Sequence, residues 1–429
     1  MKIYKVGGAV RDELLGLEPT DNDWVVVGST PKEMLSMGYK QVGKDFPVFI
    51  HPETKEEYAL ARKERSTGPG HTAFNFSYSP NVTLEEDLSR RDITINAIAM
   101  DDSGNLIDPF NGKDDLDNKV IRHVTDAFIE DPLRVLRVAR FYAKLKEFKF
   151  NVDDHTRELC EKLINSIKHL PGERIWQETE KALKLKNGFD YFDMLNNFWR
   201  IGDRLSWNNF VLNKQQSGVT SIWDFHPPTY YKDFLKRLNE KDFLERLNIR
   251  WTYKRNVTYE WGDPIEITPE ILWFIVCDIL KYDSDIKYIN ERLKIPKKFK
   301  KTHSDIRKFC MLMKRGQDSS LLSSLLIKPE ELYDALEKIG DKNNYIDTYN
   351  KFKIALRVYA EYPTLYNIYN DRKYTENEPS ELENFFINYY KITIGKDDSS
   401  LKGEEIKEKI KMKKIELIEQ YYKKILQKS

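Results

Sequence analysis

Along the first 124 residues, short hydrophobic runs alternate with turn residues, a pattern that predicts strands and helices following one another. Strands are predicted at residues 23–27, 48–51 and 58–61, the last two joined by a turn at 52–55. Short helices are predicted at residues 11–17, after a glycine pair, and at 31–37, beginning at a proline. This part of the chain is therefore expected to mix strands with helices.

Further along, hydrophobic residues recur with helical spacing. A helix is predicted at residues 130–141, with acidic residues at its start and basic residues later. Arg134, Arg137 and Arg140 recur along one side, which is either a solvated face or a functional one. The predicted core face consists of Val135, Leu136, Val138 and Ala139. Another helix is predicted from about residue 171, where it would buttress its neighbour.

Composition favours a folded globular protein. The 429 residues exceed one ordinary core, so two to four domains are expected, and the aromatic share of 13% argues against disorder. The net charge of +1 does not by itself indicate a nucleic-acid partner. Cys160, Cys277 and Cys310 lie far apart without CxxC spacing, which predicts a reducing, cytoplasmic location. Neither a signal peptide nor a membrane span is expected.

Two features near the start of the chain predict chemistry. Gly7 and Gly8 form a turn before a helix, which exposes N–H groups to a phosphate. Asp21 and Asp23 lie two apart on an apparent strand, so both carboxylates leave one face and suit Mg²⁺. Taken alone, the glycine turn could be the start of an ordinary capped helix and the two aspartates an Asp-rich turn. Together, the two features predict nucleotidyl transfer. Glu57 is either a third carboxylate of this site or a solvated strand end.

Basic residues add a second part to the prediction. Residues 62–80 are basic at the front and rich in glycine and proline behind, so we predict a mobile loop that either closes over substrate or merely connects strands. Arg90 and Arg91 cannot both be buried cheaply, and at least one is expected to meet an anion. Asp131 precedes Arg134, and such an acceptor and donor could read a nucleobase edge.

At this point the sequence resembles the class II CCA-adding enzymes, tRNA nucleotidyltransferases of the DNA polymerase β-like superfamily. The resemblance covers roughly residues 1–186, is strongest to the bacterial branch, and is specific because six motifs occur in order. The motifs are GGAVRD at 7–12 with DND at 21–23, EEYALARKERSTG at 56–68, RRDITINAIA at 90–99, DPFNG at 108–112, EDPLRVLRVAR at 130–140 and PGERIWQE at 171–178. It implies an α+β fold: a nucleotidyltransferase head with a small mixed β-sheet, then a helical neck, body and tail.

The resemblance also implies roles for individual residues. Asp21 and Asp23 would hold the catalytic Mg²⁺ ions, with Glu57 at the place of a third catalytic carboxylate. The implied nucleotide contacts are Gly8, Arg11, Arg91, Asp131, Arg134, Arg137 and Arg140. Among these, Asp131 and Arg134 match the amino-acid template that pairs with CTP and then with ATP. Residues 62–65 and the loop behind them resemble the flexible element that switches from adding C to adding A.

Residues 187–429 look all-helical and match nothing specific. Beyond residue 186 the histidines are His226 and His303, and no His-Asp dipeptide occurs, so the HD phosphohydrolase domain of several relatives is not expected. Two basic stretches, 287–315 with a charge of +9 and 402–429 with +4, either bind RNA phosphates or only solubilise the surface. With candidate linkers at 215–219 and 397–403, the predicted domains are a catalytic head at 1–124, a neck at 125–186, a body at 187–396 and a tail at 397–429.

Together these observations predict template-independent addition of C, C and A to tRNA 3′ ends. The substrates would be tRNA, CTP and ATP, the cofactor Mg²⁺, and no membrane or obligate protein partner is implied. An A-adding enzyme or a poly(A) polymerase of the same family shares nearly every motif and stays open. A non-catalytic RNA-binding protein is the alternative from another class, and it would be expected to have a broken carboxylate set.

Overall fold

The computed structural model describes residues 1–19, 21–42, 48–66, 74–200, 249–250, 265–266, 268–278, 283–315, 328–340, 343–344, 346–352, 381–393 and 401–428. The chain folds into two compact units. The first comprises Met1–His226 with Lys287–Lys294, and the second comprises Pro227–Ile286 with Ile295–Ser429.

Short strands dominate the beginning of the first unit. They are β1 (Lys2–Val6), β2 (Asp23–Val27), β3 (Lys40–Val42), β4 (Val48–Ile50), β5 (Glu57–Leu60), β6 (Arg62–Ser66), β7 (Phe74–Tyr78), β8 (Ala99–Met100), β9 (Leu106–Ile107), β10 (Val120–Ile121) and β11 (Asn151–Val152). In the described residues, seven of them form one sheet in the order β3-β4-β5-β2-β1-β8-β9. β2 runs parallel to β5 and antiparallel to β1, so the sheet is mixed, as predicted.

The two faces of this sheet carry two separate hydrophobic clusters. Successive side chains of a strand leave opposite faces, so Val25 and Val26 of β2 belong to different clusters. Val25 packs with Val6 and Ala99, whereas Val26 packs with Phe49 and others. The polar start of β2 follows the same alternation, which assigns Asp23 to the face of Val25.

Four short helices accompany the sheet: α1 (Gly8–Leu14), α2 (Pro31–Ser36), α3 (Leu84–Ser89) and α4 (Gly112–Asp117). The prediction of a first helix at residues 11–17 was wrong at both ends. Gly7 has φ of 73° and acts as the N-cap, so the helix begins at the next residue, Gly8. The helix ends at Leu14, and Gly16, also with φ of 73°, prevents its continuation. α2 and α3 begin with complete capping boxes, Thr30 with Glu33 and Thr83 with Glu86.

The predicted loop at residues 62–80 is instead largely a hairpin. β6 and β7 pair antiparallel, from Arg62 opposite Tyr78 to Ser66 opposite Phe74. The aromatic residues at every second position of β7 (Phe74, Phe76 and Tyr78) were outweighed in the sequence by the glycines and prolines between the two strands. Residues 67–73, which connect the two strands, lie outside the described part.

Helices follow in the rest of the first unit: α5 (Leu133–Leu145), α6 (Asp154–Leu163), α7 (Gly172–Leu183) and α8 (Gly188–Arg200). α5 packs against both α7 and α8. Its predicted core residues Val135, Leu136, Val138 and Ala139 are all fully buried. The predicted start at residue 130 was wrong, because Pro132 is the N-cap and Asp131 lies before the helix in extended conformation.

The second unit is mainly helical. Its described elements are β12 (Ile249–Arg250), β13 (Ile265–Glu266), α9 (Pro269–Asp278), α10 (Asp283–Arg292, which continues into the first unit), α11 (Lys297–Arg315), α12 (Pro329–Ile339), α13 (Glu381–Lys391) and α14 (Glu404–Lys428). The parallel pair β12–β13 corrects the all-helical expectation for this half. Within the unit, α14 packs on α12 and α13, and its Lys414 donates to Glu337 at 2.6 Å.

Two sequence features of the second half remain without a structural counterpart. The candidate linker at residues 215–219 lies outside the described residues, as do residues 397–400 of the other. Among the described helices, none is both long and apolar enough to cross a membrane.

Candidate active site

At the first position of the glycine turn, both the backbone conformation and the close packing favour glycine. A Cβ on Gly7 would lie 2.8 Å from Nη1 of Arg91, in addition to its positive φ. The Gly7 N–H donates to the carbonyl of Ile98 at 3.2 Å, and α1 starts directly behind the turn. The turn thus brings the helix N-terminus and a guanidinium to one place, a combination that attracts phosphate.

The predicted carboxylates lie at the start of two neighbouring parallel strands. Asp23 begins β2, and Glu57 begins β5 in register with it, so both belong to the same face of the sheet. Asp21 was predicted to lie on the strand, but it lies in the bend before the strand. In the described residues, no three acidic, histidine or cysteine side chains converge closely enough to hold a metal together.

The environment of Asp23 nevertheless fits a cation. Asp23 opens onto a cavity, yet desolvation by the surrounding protein raises the pKa of its carboxyl. Arg91 opposes this shift, and the negative charge of nearby Asp21 adds to it. A divalent cation between these two oxygen donors would relieve both penalties, so Asp21 and Asp23 fit Mg²⁺. Glu57 is exposed and does not line the cavity.

A hydrogen-bonded frame holds the carboxylate segment from the other side of the sheet. Glu56 accepts from Nδ2 of Asn22 at 2.8 Å and from Nε1 of Trp24 at 3.2 Å. The Trp24 ring stacks on Tyr58 with centroids 5.6 Å apart. Because Asn22 and Trp24 alternate with the two aspartates, these contacts fix the direction in which the aspartates leave the chain.

The cavity beside Asp23 has a volume of about 490 Å³ and is strongly basic. Nine arginine or lysine side chains face three carboxylates along its wall. The lining residues are Gly7, Gly8, Arg11, Asp23, Arg62, Arg90, Arg91, Asp92, Asn96, Asp131, Leu133, Arg134, Arg137, Arg140, Phe141, Lys144 and Arg174. All seven of the predicted nucleotide contacts are among them. A cavity of this charge is suited to a polyanion with several phosphates.

Arg11 is more deeply embedded than a surface phosphate ligand. It is 2% exposed, and its guanidinium donates to Asp12 at 2.7 and 2.9 Å and to Oδ1 of Asn96. Asp12 also accepts from Nζ of Lys144 at 2.8 Å. Burial and the neighbouring Arg11 lower the pKa of Lys144. Arg11 therefore links the glycine turn to the cavity wall, and Lys144 adds a cation beside it.

The arginines of α5 are not a solvated face. Arg137 donates to Asp92 at 2.7 Å, and Arg140 donates to Glu178 of α7 at 2.6 Å. Burial would raise the pKa of Asp92, but Arg137 and hydrogen bonds lower it to about 2. The Arg11, Arg137 and Arg140 guanidiniums lie 5.3, 5.5 and 4.4 Å from the ring centroid of Phe141. These ion pairs and ring contacts give the wall a fixed shape.

Asp131 and Arg134 occupy another part of the wall. Arg134 donates from Nη1 to the carbonyl of Ala127 at 2.8 Å and from Nη2 to that of Arg90 at 2.7 Å. Asp131 accepts from Nη2 of Arg174 at 2.9 Å and from the Leu133 N–H at 3.0 Å. Both side chains are thus held in fixed orientations, as an acceptor and a donor that read one molecule must be.

Sequence reasoning did not assign roles to several residues of this site: Asp87, Asp92, Asn96, Phe141, Lys144, Arg174 and Glu178. Asp92 and Asn96 stand inside the RRDITINAIA motif, and Arg174 and Glu178 inside PGERIWQE. The motifs therefore contained a signal for these four. The interpretation of α7 as only a buttress was incomplete, since Arg174 also lines the cavity.

A mixed sheet with carboxylates at the start of two strands, a glycine turn and a basic cavity defines a nucleotidyltransferase head. Residues 3–122 match the family model of the poly A polymerase head domain. Residues 149–198 match the model described as a probable RNA and SrmB-binding site of polymerase A. By these matches, residues 3–122 belong to the poly A polymerase head domain family and residues 149–198 to the family of the associated RNA-binding region.

Solved structures share the fold. The Bacillus stearothermophilus CCA-adding enzyme in complex with CTP is 24% identical over 84% of this chain and 78% of that chain, with a TM-score of 0.52. The Thermotoga maritima CCA-adding enzyme complexed with tRNA-CCA is 19% identical, over 95% and 90%, with a TM-score of 0.53. A tRNA-processing enzyme complex is 22% identical, over 97% and 96%, with a TM-score of 0.59. At these identities the similarity concerns the fold.

Proposed function

We propose that this protein adds C, C and A to the 3′ ends of tRNA from CTP and ATP, with release of pyrophosphate. The observation that carries the proposal is the single cavity in which Asp23, the glycine turn and the pair Asp131–Arg134 meet. One nucleotide could extend across it, with its phosphates near the carboxylate and its base near the pair.

The triphosphate end is assigned to the glycine turn. Gly8 would offer its backbone N–H at the N-terminus of α1, and Arg91 would neutralise phosphate charge. Arg11 would support this end from behind, since its donors engage Asp12 and Asn96. These groups would act by positioning and neutralising charge.

The base end is assigned to Asp131 and Arg134. A carboxylate accepts from the exocyclic amino group that cytosine and adenine share, whereas uracil and guanine present a carbonyl at that position. Arg134 would donate to a ring nitrogen or carbonyl of the same base. Arg137 and Arg140 would border the nucleotide on the α5 side, held by Asp92 and Glu178.

The carboxylates are assigned to catalysis. Asp21 and Asp23 would hold Mg²⁺, which when bound lowers the pKa of the tRNA 3′-hydroxyl and stabilises the leaving pyrophosphate. Glu57 is proposed as a third carboxylate because it stands in register with Asp23. The 3′-hydroxyl would attack the α-phosphate in line, with Asp23 at the cavity wall orienting the reacting groups.

tRNA is the proposed polymer substrate, and the relatives' complexes with tRNA support this choice. The match at 149–198 to an RNA-binding model supports RNA contact by the helices after the head. In α11, Lys297, Lys298, Lys300 and Lys301 are exposed and suit RNA phosphates. We keep the division into head (1–124), neck (125–186), body (187–396) and tail (397–429), and a cytoplasmic location, as parts of the proposal.

A second candidate within the family is an A-adding enzyme or a poly(A) polymerase. The description of the matching head model, a poly A polymerase head, favours keeping it. The two candidates differ in nucleotide choice: an enzyme that adds only A needs a pocket for adenine, whereas a CCA-adding enzyme needs one that accepts cytosine as well. A non-catalytic RNA-binding protein is disfavoured by the intact Asp21 and Asp23.

The test uses purified protein, Mg²⁺ and a tRNA transcript ending at the discriminator base. Labelled CTP and ATP are supplied singly and together, and products are read at nucleotide resolution. We expect two C additions followed by one A, abolished in the Asp21→Ala/Asp23→Ala variant but retained in Asp102→Ala, an exposed turn residue. A alone on tRNA ending in CC would indicate an A-adding enzyme, and long A tails a poly(A) polymerase. Absence of incorporation would overturn the enzyme assignment.

A further inference from the structure

Asp87, in the middle of α3, is a fully buried carboxylate outside the cavity wall. Its Oδ1 accepts from Nη2 of Arg90 at 2.7 Å and from the backbone N–H of Arg62 at 3.3 Å. Its Oδ2 accepts from Nη2 of Arg91 at 3.4 Å. Burial would raise the pKa of Asp87, but Arg90 and Arg91 lower it, so the carboxylate is charged.

The partners of Asp87 lead to three different parts of the site. Arg62 begins β6 and thus the hairpin. Arg91 donates from Nη1 to the carbonyl of Asn96 at 3.2 Å and stands beside Gly7 and Asp23. The carbonyl of Arg90 accepts from Nη2 of Arg134, the proposed base reader. The hairpin, the phosphate end and the base end therefore share one buried junction.

From this geometry we infer that Asp87 is a positioning residue that sets the orientation of Arg91 and Arg134 relative to the base of the hairpin, and so determines which nucleotide the cavity accepts. The inference rests on the proposed function. Asp87 contacts no cavity space itself and acts through the groups it binds.

The physical reason is that two adjacent guanidiniums repel each other unless an anion lies between them. Without the negative charge of Asp87, Arg90 and Arg91 would separate. Arg91 would then leave the glycine turn, and the Arg90 peptide would shift under Arg134. Both ends of the nucleotide would be affected by one substitution outside the cavity.

Asp87→Asn tests this, because asparagine keeps the size and one acceptor oxygen for the Arg62 N–H but removes the charge. Glu85→Gln is the matched control, since Glu85 is an exposed acidic residue in the first turn of the same helix. Binding of CTP, ATP and UTP is measured by calorimetry with Mg²⁺, and KM and kcat are measured with tRNA. We expect Asp87→Asn to weaken CTP binding about tenfold or more, the value of a lost charged hydrogen bond, and to lower the CTP-to-UTP preference.

The outcomes separate positioning from mere folding. A loss of kcat by one factor for all nucleotides, with unchanged KM and preference, would overturn the inference. Glu85→Gln is expected to keep the wild-type preference, and an equal change in it would also count against a special role of Asp87. If wild-type protein prefers CTP to UTP in binding but extends no tRNA, the proposed function fails while the inference is still tested by the binding data.

A second measurement covers the case in which Asp87→Asn does not fold. Hydrogen exchange of the Arg62 amide and of β6 is followed in wild-type protein with and without CTP. The Arg62 N–H donates to Asp87, so a nucleotide that fixes Arg91 and Arg134 should also stabilise this hydrogen bond. We therefore expect CTP to slow the exchange of the Arg62 amide. Unchanged exchange in β6 at saturating CTP would overturn the coupling.

Discussion

Arg137 donates from Nε to the buried carboxylate of Asp92 across 2.7 Å, and this bond joins α5 to the segment behind the glycine turn. The partners stand 45 residues apart in the chain. Asp92 also accepts from Nδ2 of Asn96, whose Oδ1 binds Arg11. The pair is thus part of a continuous polar chain along the cavity wall.

The pKa of Asp92 predicts how this pair responds to acid. It is lowered from 3.8 to about 2, so the stabilisation is complete above the unfolded-state pKa and is lost as the pH falls through about 2. The shift corresponds to about 2 kcal/mol. We expect Asp92→Asn to lose that amount at pH 7, with the difference from wild type shrinking between pH 4 and pH 2. Urea unfolding across this range measures it.

Asp102→Asn is the control for this titration, because Asp102 is exposed in a turn. Its difference from wild type should stay near zero at every pH. A difference for Asp92→Asn that does not change with pH would contradict the assignment of the ion pair.

For Asp23, the predicted pH dependence of folding stability has the opposite sign to that for Asp92. Desolvation by the surrounding protein and the nearby charge of Asp21 raise the pKa of Asp23 against the opposing charge of Arg91. The charged form therefore destabilises the folded protein without metal, and stability rises as the pH falls through the folded-state pKa. We expect Asp23→Asn to be at least as stable as wild type in metal-free buffer at pH 7. Its activity should fall by about a thousandfold or more, since metal charge stabilisation is worth several kcal/mol.

Calorimetric Tm values with and without Mg²⁺ check this prediction. Mg²⁺ should raise the Tm of wild type and leave that of Asp23→Asn nearly unchanged. A metal-free Asp23→Asn protein that melts below wild type would show that this carboxylate stabilises the fold instead.

Glu56 predicts an indirect effect on the metal site. Glu56→Ala removes the acceptor of Asn22 and Trp24, which alternate with the two aspartates. We expect a loss of about 1 kcal/mol in the free energy of unfolding, as for an ordinary hydrogen bond. The Mg²⁺ concentration at half-maximal activity should rise severalfold, because the aspartates are then less firmly directed. Glu53→Ala, in the neighbouring turn, is the control and should leave that concentration unaltered.

The elements that sequence reasoning found best are those with one buried face. The strand at residues 23–27 matches β2, and the predicted core face of α5 is fully buried, because alternation and helical spacing report burial directly. The hairpin β6–β7 was missed, since the glycines and prolines between its strands favoured a loop, whereas the pairing itself depends on backbone partners distant in the sequence. Local turn chemistry likewise explains why α1 begins at Gly8 rather than at residue 11, and why Asp21 lies in the bend before β2 rather than on the strand.

The candidate site shows the same division. The motifs drew attention to Arg134, Arg137 and Arg140, but helical spacing could only assign them to a polar face. Arg137 and Arg140 are held in the cavity wall by Asp92 and Glu178, which come from other elements and whose proximity no local pattern reports. Ion pairs between distant residues are decided by tertiary packing, and so the wall of the cavity could not be predicted as a structure.

Arg174 predicts a change in base recognition. Its Nη2 donates to Oδ2 of Asp131 at 2.9 Å, which keeps the carboxylate oriented towards the cavity. Arg174→Ala should weaken CTP and ATP use about tenfold or more, as expected for a lost charged hydrogen bond. Arg174→Lys should recover only part of this loss, since a lysine cannot repeat the planar two-point contact. Misincorporation of UTP should rise in both, as read at nucleotide resolution on tRNA.

Lys184→Ala is the control for Arg174, because Lys184 is exposed at the C-terminal end of the same helix. It should keep wild-type preference and rate. If Arg174→Ala lowers the rate with CTP, ATP and UTP by one common factor, Arg174 only supports the fold of α7. If the rate falls selectively with CTP and ATP while the free energy of unfolding stays at the wild-type value, the direction of the Asp131 carboxylate, and not its presence alone, determines which base is read.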